Sequence, residues 1–183
     1  NSIYIDNDEL NVYATLHVKG NPKGIFILCA ITVILISILF LFIACTPKEE
    51  AKNLVFPIII LSVITLLFPV KYLLWNLVGK EKLIINTKAI CYAYDYGFLE
   101  TNYEVLKFER LSLSFEQGQE TNDQESGKLI FINYDLETNL PKILYETQVL
   151  IPRIEIERFE SEIYCLFQEQ YEEQNEFLGF SLN

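Results

Sequence analysis

From Gly24 to Cys45 the chain reads GIFILCAITVILISILFLFIAC, with no charged residue in the run. At about 1.5 Å per residue, a helix of that length covers roughly 33 Å, enough to cross a hydrocarbon core. A second apolar run follows from Leu54 to Val70, LVFPIIILSVITLLFPV, and continues past Lys71 into YLLWNLVG. The two runs predict a transmembrane hairpin over 24–45 and 54–74, joined by Thr46–Asn53. Lys71 would extend toward the head groups, with Tyr72 and Trp75 as interfacial aromatics, and these three are the expected membrane-interface anchors. Pro57 is expected in the first turn of the second helix and Pro69 near its end.

The rest of the chain has the opposite character. Of 183 residues, 51% are hydrophobic, yet the net charge is −11. Residues 1–79 carry five basic and five acidic side chains, whereas residues 80–183 carry nine basic and twenty acidic ones, so the imbalance lies wholly in the second part. That balance argues against nucleic-acid binding, which needs a basic footprint to displace counterions from phosphates. It argues equally against phosphoinositide binding, because Lys88, Lys107, Arg110, Lys128, Lys142, Arg153 and Arg158 are scattered singly.

Lysines at the span ends give an orientation. Lys19, Lys23, Lys80, Lys82 and Lys88 flank the outer ends, against Lys48 and Lys52 between the runs. The expectation is a multi-pass protein of a bacterial inner (cytoplasmic) membrane with both termini cytoplasmic. A cleaved signal sequence is the weaker reading, since the run exceeds an ordinary h-region and a second run follows. Phe42-Ile43-Ala44-Cys45 also resembles a lipoprotein box, although Phe42 and Ile43 are bulky for one, and that rival would put lipid on Cys45.

The polar parts alternate with period two. Leu10–Val18 predicts a strand, as do Lys82–Asn86, Ala89–Tyr94, Leu99–Val105, Leu106–Phe115, Lys128–Asp135 and Ile143–Leu150. Gln117–Gly127 reads as a polar loop. Ile156, Phe159, Ile163 and Leu166 then recur at helical spacing, predicting an amphipathic helix over 152–172. The expected organisation is a strand segment (1–23) that pairs with the later β-domain, a membrane hairpin (24–79), and a mainly-β domain with a C-terminal helix (80–183).

Short strands closed by one helix have the pattern of a pleckstrin-homology-like (PH-like) domain. Leu74-Trp75-Asn76-Leu77-Val78-Gly79-Lys80-Glu81-Lys82 and Tyr94-Asp95-Tyr96-Gly97-Phe98 resemble the junction and first β-turn of small two-transmembrane-helix proteins of unknown function from bacteria, Bacteroidetes among them. The layout is distantly similar to the photosystem I assembly factor family. The resemblance implies a fold, and it carries no catalytic residues.

No chemistry is written in the spacing. Cys29, Cys45, Cys91 and Cys165 are too far apart for a metal-ligand pattern, and the lone His17 lacks a partner in sequence. No Gly-rich phosphate loop is present. No enzyme activity, cofactor or metal is expected. Tyr92, Tyr94, Tyr96 and Tyr103 cluster around one hairpin, which reads either as a protein-interaction surface or as cross-strand packing. The function expected is that of an adaptor, accessory or assembly subunit of a membrane complex. Its partners would be the bilayer and another membrane or cytoplasmic protein. The alternative is a membrane-embedded immunity protein that neutralises a secreted toxin by binding it.

Overall fold

The computed structural model describes residues 3–45, 48–118 and 125–179. The chain divides into two units: Lys19–Gly79, and Asn1–Val18 together with Lys80–Asn183. Among the described residues there are three helices and two antiparallel sheets.

The first unit is helical. α1 spans Pro22–Cys45 and α2 spans Lys48–Val78. Asn21 caps α1: its side-chain oxygen accepts from Lys23 N at 3.0 Å, its carbonyl accepts from Ile25 N at 2.9 Å, and Pro22 fills the first helical position, where an N–H is dispensable. Within α1 the hydroxyls turn inward on their own backbone, Thr32 to the Leu28 carbonyl and Ser37 to the Val33 carbonyl, each at 2.8 Å. Pro22–Phe42 is long and apolar enough to cross a membrane, and none of it is buried within the protein. Leu67–Val78 forms a shorter apolar helical stretch. The two helices pack on each other, and their outer ends meet at Gly20: a Cβ there would fall 2.1 Å from the Asn76 carbonyl oxygen. Only glycine permits that approach.

Two expectations are corrected here. The connection foreseen over Thr46–Asn53 is helical from Lys48 onward, while Thr46 and Pro47 lie outside the described residues. Pro57 therefore sits in the interior of α2, as does Pro69. Each lacks an N–H for the helical ladder.

The second unit is built on β1 (Ile3–Asn7), β2 (Val12–His17), β3 (Lys80–Ile85), β4 (Ala89–Asp95) and β5 (Glu104–Lys107), in that order across one sheet. A second sheet runs β6 (Leu111–Gln117), β7 (Ser126–Tyr134), β8 (Pro141–Glu146), and β9 (Ile151–Pro152) also pairs with β7. α3 follows over Arg153–Gly179. The register puts Leu16 opposite Glu81, Ala14 opposite Leu83 and Val12 opposite Ile85, so one face of the first sheet is apolar and buried. Leu129, Phe131 and Ile151 supply the second sheet's share of the core. α3 buries Ile156, Phe159, Ile163 and Leu166 and packs on β1, β2, β7 and β9, which ties both sheets together.

Short polar side chains shape the turns. Asp8 Oδ1 accepts from Leu10 N and Asn11 N between β1 and β2. Asn86 Oδ1 accepts from Lys88 N and Ala89 N between β3 and β4. Gly97, with φ at 92°, provides the left-handed step after β4. The strand expected over Leu10–Val18 is thus the second arm of a hairpin, with Leu10 in the turn and 63% exposed. The strand expected over Leu106–Phe115 is broken at Glu109 and Arg110, whose amides donate to Asn133 Oδ1 of β7 instead of to a strand neighbour. β5 starts at Glu104, later than the Leu99 expected, and Pro152 belongs to β9, with the helix beginning one residue later. The centre of the polar loop foreseen at Gln117–Gly127 lies outside the described residues, and its two ends are strand residues of β6 and β7.

Candidate functional site

Residue parity in β3 places a carboxylate in the core. Leu83 and Ile85 face inward, so Glu81 does too, and it is fully buried. Tyr145 of β8 donates to Glu81 Oε1 at 2.7 Å, while the amides of Gln148 and Val149 donate to Oε2 at 2.9 and 3.2 Å. The acceptor groups of this acid are thereby used by the turn that follows β8, and β3 of one sheet is tied to the end of the other. Burial pushes the Glu81 carboxyl up to about 7, against the lowering pull of those three hydrogen bonds and of Lys128.

The network continues into β4. The Tyr94 and Tyr145 hydroxyls lie 3.2 Å apart, and because Tyr145 donates to Glu81, Tyr94 donates to Tyr145. Tyr92 stacks on Tyr145 with ring centroids 4.3 Å apart and meets Tyr94 edge-on at 5.7 Å. Its hydroxyl donates to Glu104 of β5, a bond that, with burial, pushes the Tyr92 phenol up to about 12. Burial and the charge of Glu81 push the Tyr145 phenol up as well. Among the described residues no buried side-chain polar atom lacks a partner. A hydrogen-bonded, fully enclosed acid of this kind holds two sheets in register; it has no approach for a substrate.

Tyr92 and Tyr94 are therefore brought together, facing Tyr145 of the second sheet. Tyr96 sits half-buried in the turn after β4, and Tyr103 is 44% exposed ahead of β5. On α2, Lys71 and Tyr72 are exposed and Trp75 is half-buried. His17 is exposed at the end of β2. Among the described residues no group of three or more His, Cys, Asp or Glu could hold a metal ion. Glu81 and Tyr145 escaped the sequence reading; the only signal for Glu81 is its parity with Leu83 and Ile85.

A second feature opens to solvent. A groove of about 650 Å³ runs between β6 and α3, lined by Leu111 and Leu113 on one side and by Glu160, Ser161, Ile163, Tyr164 and Phe167 on the other. Its walls are mostly apolar, and among the described residues Glu160 is the one charged side chain that lines it.

No protein-family model matches the chain, and comparison with the curated proteins finds no match.

Proposed function

We propose that this chain is a non-enzymatic integral protein of a bacterial inner membrane, whose PH-like β-unit docks onto another protein as an adaptor or assembly subunit. The observation that carries this is the unburied apolar surface of Pro22–Phe42. Lipid is the solvent that accepts such a surface without cost. On this reading α2 is a second span: its sequence from Leu54 to Val70 is uncharged, and its end lies against Gly20, which favours a hairpin returning to the side it left. Two antiparallel sheets followed by a long C-terminal helix favour the PH-like description. The acidic balance of residues 80–183 favours a protein partner over an anionic head group.

Extraction of the native membrane tests this. The chain should stay in the pellet through an alkaline carbonate wash, and in mild detergent should co-purify with a partner at fixed ratio. Release by carbonate would overturn the membrane assignment, and purification as a lone chain would overturn the adaptor role. A secreted toxin as the co-purifying chain would favour the immunity alternative.

A further inference from the structure

β6 is an edge. Among the described residues it pairs with β7 alone. Which of its groups point outward follows from two hydrogen bonds: Tyr134 N donates to the Arg110 carbonyl at 2.9 Å, and Gly118 N to the Ser126 carbonyl at 2.8 Å. The register between these points is unbroken, so even-numbered residues of β6 are the ones bonded to β7. The neighbouring strand agrees, since Leu129 N turns away from β6 and donates to Thr147 Oγ1. Leu111, Leu113 and Phe115 therefore present their backbone N–H and C=O to the open edge. Leu111 and Leu113 also line the groove beneath α3. One row of residues thus offers unpaired backbone and an apolar trough together.

Natural folds cover or blunt such an edge. Charge decides what fits here. Glu160 stands in the groove, and among the described residues it has no ion-pair partner. Burial, reinforced by neighbouring Glu157, holds its carboxyl above the usual range. Nearby Arg153 is engaged with Glu125 and Glu157. A second copy of this chain would bring the same acidic surface against itself. We propose that the β6 edge and the β6–α3 groove receive an extended, basic segment of a partner protein as an added antiparallel strand, its groove-facing alternate side chains being apolar over Leu111 and Leu113 and cationic beside Glu160. This rests on the docking function proposed above and specifies its partner.

The geometry makes an asymmetric forecast. Opposite Leu113, an antiparallel residue whose side chain enters the groove must also point its N–H at β6. The test uses the full chain in detergent micelles and a fluorescein-labelled nonapeptide read by fluorescence anisotropy; its odd positions, destined for the groove, are valine at 3, 5 and 7 and lysine at 1 and 9, and its even positions are threonine. Saturable binding that weakens with added salt is expected. N-methylation of the odd positions should abolish it and N-methylation of the even positions should spare it. The same peptide with glutamate in place of both lysines should not bind. Glu160→Lys and Tyr164→Glu, the latter at a side chain 70% exposed, should each weaken binding about fivefold or more. Absence of binding by the unmethylated peptide, equal binding of both methylated peptides, or loss on methylation of the even positions would overturn the proposal. So would a dimer in sedimentation that Tyr164→Glu dissociates, because the occupant would then be a second copy. The methylated pair needs only the wild-type chain, so a misfolded variant does not spare the idea. A native partner that co-purifies equally with Glu160→Lys/Tyr164→Glu would refute the groove and leave the docking function standing.

Discussion

Phe40 and Phe159 are both helical phenylalanines with an isoleucine about one turn away on either side (Ile36 and Ile43, Ile156 and Ile163), yet Phe40 in α1 is 72% exposed and Phe159 in α3 is completely buried. The difference runs through both units. In Lys19–Gly79 apolar side chains face outward around α1, whereas in the β-unit the same residue types close on a core between two sheets and α3. A water-exposed α1 would forfeit about 25 cal/mol for each Å² of apolar surface left wet. One unit hides its apolar residues and the other leaves those of α1 uncovered, which is the contrast the proposed membrane role rests on.

The largest effect should follow from removing residues 1–18. This takes away β1 and β2, and with them Val12, Ala14 and Leu16 packed beside β3. Melting followed in detergent should lose its cooperative transition from the β-unit. An unchanged curve would mean that the hairpin adds nothing to that core. Phe159→Ala comes next, at about 3–5 kcal/mol, because it opens a cavity in a packed interior. Phe40→Ala should leave the melting of the β-unit where it was. Equal losses from the two substitutions would erase the contrast between the units.

Glu81 sharpens the comparison by pH. Its carboxyl is held up to about 7, against 4.5 when unfolded. Between those values the folded chain binds more protons than the unfolded one, so this group's contribution to stability falls as pH rises across the window and is flat above it. Glu81→Gln should remove that slope from the melting temperature between about pH 5 and pH 8, while Glu160→Gln should largely preserve it. A slope identical in wild type and Glu81→Gln would show that the buried acid is not the titrating group. The smallest expected effect is none at all: inositol trisphosphate titrated into the full chain should give no heat of binding. Saturable heat would reveal a basic pocket assembled from residues distant in sequence.

What could be read from the sequence was whatever repeats. The uncharged run of α1 reports its own environment, and Ile156, Phe159, Ile163 and Leu166 mark the buried stripe of α3 by spacing alone. β1 was illegible because Asp6, Asn7 and Asp8 make Ile3–Asn7 look like a polar leader, and its pairing with β2 depends on the turn that Asp8 organises. The tyrosine alternation at Tyr92 and Tyr94 was visible, but not which face would meet Tyr145, a residue some fifty positions on. An acid just after a long apolar helix reads as solvated. The partners that let Glu81 be buried lie 64 to 68 residues away, and no local pattern announces them. The groove depends on how α3 settles beside β6, which is a property of packing and leaves no period in either segment.

On the reading proposed above, the helical unit crosses a bilayer twice and returns to the side it left. Single cysteines placed at Glu50 and at Gln117, in a chain whose Cys29, Cys45, Cys91 and Cys165 are replaced by serine or alanine, test it through a membrane-impermeant maleimide on intact cells whose outer membrane has been permeabilised. Labelling at position 50 is expected from the periplasmic face, and labelling at position 117 only after lysis. Labelling of both positions before lysis, or of position 117 alone, would contradict it.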